Sequence, residues 1–200
     1  MSTRRIVLRL LSAWFALSAV AFVLAPRLGT FLAPTALESF RFLHPQLLAS
    51  FEPEAVTPGR WRLTVTMVQP LILDRDTAIP AGSVLQLDAG VLHVLLPPVI
   101  LLSLSLALPA ASRRARAMSL ICALPTAALM TWVLLLVQWS GLLDLEIQAT
   151  AEAAGIDRAM PWVLSLLLFL EGGGRWLLPI VFGGILAWWA ARERRPFPQG

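Results

Sequence analysis

The stretch from Val91 to Trp139, VLHVLLPPVILLSLSLALPAASRRARAMSLICALPTAALMTWVLLLVQW, decides how the whole chain is read. It holds two apolar runs, Val91 to Ala110 and about Ala117 to Trp139, each close to the 20 residues a helix needs to cross a bilayer. Between them stand Arg113, Arg114 and Arg116 in a short basic loop. Working outward, a third run lies at Ile6 to Ala25 (IVLRLLSAWFALSAVAFVLA) and a fourth between Trp162 and Trp189. The fourth is too long for one upright crossing and is broken by Glu171-Gly172-Gly173-Gly174-Arg175. It reads as a short interfacial helix over 162–170 followed by a crossing from Gly173 to Ala191. Composition agrees: 58% of the 200 residues are hydrophobic and 14% are charged, where soluble chains run near 45–50% and 25%. So few charges cannot cover a water-exposed surface.

The expected architecture is therefore an all-α membrane protein of four transmembrane helices: residues 1–25, 91–110, 118–140 and the crossing within 162–191. The first run also has features of a cleavable leader, an Arg-rich start and small residues near its end. Arg9 interrupts its apolar core and no clear A-x-A site follows, so it reads as an uncleaved anchor. The positive-inside rule then places residues 1–5, 111–117 and 192–200 in the cytoplasm. Eight arginines fall there, and eleven of the twelve acidic residues fall on the other side, Glu193 being the exception. Both termini are expected in the cytoplasm, and membrane lipid is the first partner. The net charge of +4 comes from arginines spread over membrane-flanking positions, which excludes a nucleic-acid-binding face.

The loop 26–90 is expected outside as a small helix-plus-β-hairpin insertion. In PTALESFRFLHPQLLASF, residues Leu37, Phe40, Leu43, Leu47 and Phe51 recur at helical spacing, as in a helix lying in the membrane interface, with Pro45 breaking it near His44. Arg60 to Met67 alternates polar and apolar with period two, and Ser83 to Asp88 can return as its partner strand. The second outer loop, 141–161, carries a short helix around Ala149–Ala154. Trp139, Trp162, Trp176, Trp188 and Trp189 read as interfacial anchors.

Chemistry-bearing residues are few. Glu171 and Arg175 share one face if their helix is continuous, and ionisable groups near lipid are costly and often functional. The ordinary reading is a pair bathed by interfacial water. His93, near the outer end of the second span, can shuttle a proton or simply hydrogen-bond at the interface. The single cysteine, Cys122, sits about 20 Å deeper than His93 at 1.5 Å per residue, so the two cannot form one Cys–His site. Ser103 and Ser105 lack a Gly-x-Ser-x-Gly setting and bond to backbone or a neighbouring helix. No metal or phosphate motif occurs, and no cofactor is expected.

Three segments carry a resemblance: LQLDAGVLHVLLPPVILLSLSLALP (85–109), the inner loop SRRARA (112–117) and RWLLPIVFGGILAWW (175–189). In their order and spacing they resemble the exosortase H-associated membrane proteins, over most of residues 61–191. The chain departs from that pattern at Glu171-Gly172-Gly173-Gly174, where aromatics are usual. The resemblance implies a non-enzymatic accessory protein of a bacterial inner-membrane protein-sorting or envelope system, with an exosortase-like enzyme as membrane partner. It transfers no catalytic residues. The competing reading is a small membrane enzyme or transporter whose polar site at the outer face is His93, Glu171 and Arg175.

Overall fold

A computed structural model of the chain describes residues 3–52, 60–74 and 77–192. Five helices and five strands follow in the order α1 (Thr3–Leu43), β1 (Leu47–Glu52), β2 (Arg60–Met67), β3 (Leu71–Asp74), β4 (Thr77–Ile79), β5 (Val84–Gly90), α2 (Val91–Ala107), α3 (Arg113–Ala153), α4 (Trp162–Phe169) and α5 (Arg175–Arg192). A π-helical turn, Leu170–Gly174, joins α4 to α5. The molecule is mostly helical with a small antiparallel insertion. Three helical stretches are long and apolar enough to cross a membrane: Thr3–Ala25, Arg113–Ala153 and Trp162–Arg192. Four were expected. The second expected span is cut to the 17 residues of α2, roughly 25 Å of helix. β5 fixes its start at Val91, and Pro109 disfavours helical backbone in the residue before it.

Residues 25–93 and 132–172 form one compact unit. Here α1 departs from expectation, because no separate interfacial helix exists. The helix runs unbroken through Pro26 and Pro34 to Leu43. Each proline forfeits one backbone bond, and tertiary packing offsets the loss: Ala25, Gly29, Ala33, Ala36 and Phe40 recur every three or four residues and are all buried. Pro45 ends the helix. Leu47 and Phe51, assigned by spacing to that helix, lie instead on β1.

β1 is a third strand beside the expected hairpin, giving the order β1-β2-β5, all antiparallel. β3 and β4 make a separate two-stranded ribbon in the connection between β2 and β5. Along β2, Trp61, Leu63, Val65 and Met67 are buried while Arg60, Arg62, Thr64 and Thr66 take the other face. Gly29 lets α1 approach this inner face, since a Cβ there would meet the Trp61 indole Nε1 at 2.8 Å. The short helix expected at Ala149–Ala154 is the last turns of α3. A Schellman closure ends α3, with Gly155 at φ 74° and the Ile156 amide donating to the Ala151 carbonyl at 2.9 Å.

Residues 3–24, 94–131 and 173–192 belong to the other unit. Ser112 caps α3, its Oγ accepting from the Ala115 amide at 3.0 Å. Ser103 and Ser105 donate to the carbonyls of Val99 and Leu101, one turn back. Gly183 of α5 lies against Leu104 of α2, where a Cβ would stand 2.7 Å from Leu104 Cδ1. From Thr3 to Leu24, by contrast, no described side chain is buried.

Candidate functional site

His93 occupies the first turn of α2, and Glu171 the turn after α4. The structure brings them together: His93 Nδ1 is 3.7 Å from Glu171 Oε1, an ion-pair distance if the imidazole is protonated, and both side chains are well exposed, at 53% and 41%. At that length the contact is not a hydrogen bond. The helix that was to align Glu171 with Arg175 is not continuous. Gly173 has φ 123°, a conformation L side chains avoid, so the break that the three glycines allow is present. Arg175 opens α5 in the other unit and is buried.

A second polar group gathers where α1 ends, and sequence reasoning missed it. Ser140, Asp144, Gln148 and Glu152 recur every four residues along α3 and therefore form one stripe. His44 lies on the turn after α1. Its Nε2 is 3.2 Å from Ser140 Oγ, a hydrogen bond whose direction depends on the imidazole tautomer. Asp144, one turn further along α3, faces Arg158 Nη2 at 3.9 Å. Gln148 Nε2 donates to the Arg158 carbonyl at 3.2 Å. Burial holds the His44 imidazole below its usual range, and the Asp144 carboxylate opposes that shift in part. The period-four polar spacing in an otherwise apolar helix was the available signal. It was hidden because residues 141–161 were read as a loop.

Aromatic rings pack beside this stripe. Trp139 meets Phe40 edge-on at 6.4 Å between centroids and Phe51 at 5.6 Å. It is fully buried, so it is a core residue and not the interfacial anchor expected. Trp162, Trp176, Trp188 and Trp189 are exposed. Arg41 Nη2 donates to the Ala49 carbonyl of β1 at 2.8 Å. Four buried polar atoms in these elements have no hydrogen-bond partner: Arg41 Nε, Trp139 Nε1, Gln148 Oε1 and Arg158 Nη1.

Serine, histidine and aspartate here do not make a nucleophilic triad. Among the described residues Asp144 forms no hydrogen bond to His44, whereas a triad base must be oriented by its acid. Ser140 is 3% exposed on a regular helix, not on a strained turn open to substrate. What the arrangement can do is hold a neutral imidazole or take up a proton. No group of three His, Cys, Asp or Glu among the described residues is placed to hold a metal ion. Cys122 is a free, half-buried thiol.

The fold defines a multi-pass, mostly helical membrane protein. No protein-family model, curated protein or solved structure matches the chain.

Proposed function

We propose that this chain is a non-enzymatic accessory protein of a bacterial inner-membrane protein-sorting or envelope system, docking on an integral membrane partner of the exosortase type. One observation carries the docking reading: the uneven burial of α1. Its residues from Ala25 to Phe40 fully bury a stripe, while those from Thr3 to Leu24 are at most half-buried. In the most apolar 18-residue stretch of the other two spans, 39% and 33% of the residues are buried. A span that half-buries one stripe and fully buries none of its described side chains leaves the rest of its apolar surface available to another helix. The named partner class rests on the sequence resemblance alone.

In this reading α2 is a short fourth crossing. Seventeen apolar residues lie at the lower limit for spanning, and an even number of crossings puts Arg4, Arg5, Arg113, Arg114, Arg116 and Arg192 all on the cytoplasmic side. Arg192 stacks 3.8 Å over the Trp188 ring, as suits the inner edge of a span. Residues 25–93 then face outward. The inner face of their sheet is occupied by the chain's own side chains, so contacts there fall to the outer face, where Leu48 and Val84 are exposed on either side of Thr66.

The test is purification in mild detergent from the native bacterium with mass spectrometry of what accompanies the chain. A stoichiometric membrane partner, lost when Ala13, Ala16 and Ala19 are replaced by Leu with expression unchanged, supports the reading. A solitary chain sinks it. The His93–Glu171 approach favours the second reading, an enzyme or transporter site at the outer face. It requires that His93→Ala, Glu171→Ala and Arg175→Ala each abolish the phenotype while partner binding persists.

A further inference from the structure

The His44 corner has no part in either reading above. It joins three elements: the turn that leaves α1, strand β1 through Leu47, whose amide donates to the His44 carbonyl at 3.0 Å, and α3 through Ser140. The side-chain bond to Ser140 spans 96 residues of sequence, so it fastens the start of the sheet to a helix made much later.

The charged and polar groups around that imidazole are poorly arranged for a cation. On α1, Arg41, one turn before His44, is paired with Glu38 at 2.9 Å and donates to the Ala49 carbonyl, so it offers the imidazole no acceptor. On α3, Ser140 offers one hydroxyl, and among the described residues Asp144 is the carboxylate whose charge acts on the ring. Asp144 is already shared with Arg158, from the connection after α3. The Phe40 ring lies 4.7 Å from the imidazole, tilted 44° to it. A proton added here creates a half-buried charge, and such charges are costly unless paired.

We propose that the His44–Ser140 contact is an acid-released latch that holds the turn between α1 and β1 onto α3. At neutral pH the imidazole is uncharged and the latch is closed. As the pH falls below about 6.5, the unfolded or released imidazole takes up a proton more readily than the latched one. The proton comes from solvent, no covalent bond changes, and the equilibrium moves toward release. Removing the Asp144 charge makes the latched site still less hospitable to the cation, so Asp144→Asn deepens the acid response. His44→Gln keeps a hydrogen-bonding group and cannot titrate, so it abolishes the response.

The full-length protein is placed in lipid nanodiscs with Cys122→Ala and a spin label at Leu43→Cys, an exposed position beside the latch. Between pH 7.5 and 5.0 the mobile spectral component grows in this parent. With His44→Gln it stays at the neutral-pH level throughout, and with Ser140→Ala it is already raised at pH 7.5. A label as immobile at pH 5.0 as at pH 7.5, or an equal acid response with His44→Gln, overturns the proposal. Circular dichroism and thermal melting of each variant at pH 7.5 show whether it is folded, and Asp144→Asn gives a second reading of the sign if Ser140→Ala does not fold.

Discussion

Single residues on the outer sheet face give the clearest energetics. Arg62 grips Asp88 across β2 and β5 with two bonds, Nε to Oδ1 at 2.7 Å and Nη2 to Oδ2 at 3.0 Å, with both side chains about one-fifth exposed. That bond, more than the charge of Arg60 nearby, holds the Asp88 carboxyl below its ordinary range. A folded-state value below the unfolded one means stability that is complete above about pH 4 and is lost as pH falls through the lowered value. Asp88→Asn should therefore cost about 1–2 kcal/mol near neutrality. In denaturant melts the gap between variant and parent should close in strong acid. At Gly29 a Cβ meets the buried Trp61 ring, so Gly29→Ala should destabilise by about 1–3 kcal/mol. The pairing of Arg60–Met67 with the strand after Pro80 was legible because period two shows which side chains go inward. β1 was not, because LLASF has no alternation of polar and apolar residues, and its neighbours supplied a helical spacing that won by default.

At the scale of elements, helix ends were harder to read than helix existence. Pro45 stops α1 and Gly155 stops α3, whereas Pro26, Pro34 and Pro125 do not interrupt theirs. The difference lies in packing, since a proline is tolerated where neighbouring turns are buried against something, and one sequence does not show what that something is. Hence two 41-residue helices were each divided into a span and a separate outer piece. That the helix could break at the three glycines was legible, and that it does so at Gly173 required the φ of 123°. A matched pair of substitutions tests the helix approaches. Gly183→Ala would press on Leu104, while Gly184→Ala meets open space. The first should lower the melting temperature in detergent. The second should hold or raise it, since alanine in a helix interior is favoured over glycine by roughly 0.5–1 kcal/mol.

For the whole molecule, membrane residence was legible from composition, while the length of the second apolar helix was not, because hydropathy carries the run on to Ala110 where α2 ends at Ala107, ahead of Pro109. Topology is decided by labelling. On a Cys122→Ala background, Thr3→Cys and Ser112→Cys should react with an impermeant thiol reagent only from the cytoplasmic side, and Gln86→Cys only from outside. Labelling of Ser112→Cys from outside would remove α2 as a crossing. The candidate sites divide the same way. His93 could be singled out as a lone ionisable group at the edge of an apolar run, but His44 acquires its significance only from a serine 96 residues later. That separation also sets a timetable for biosynthesis. Trp139 and Ser140 leave the ribosome about 100 residues after Phe40 and His44, which at about 5–20 residues per second is a delay of roughly 5–20 seconds. Throughout it Phe40 and Phe51 lack the Trp139 ring they meet in the folded chain. The nascent chain must be shielded over that interval, so a slowed translocon or a missing holdase should be felt first as proteolysis between residues 40 and 70.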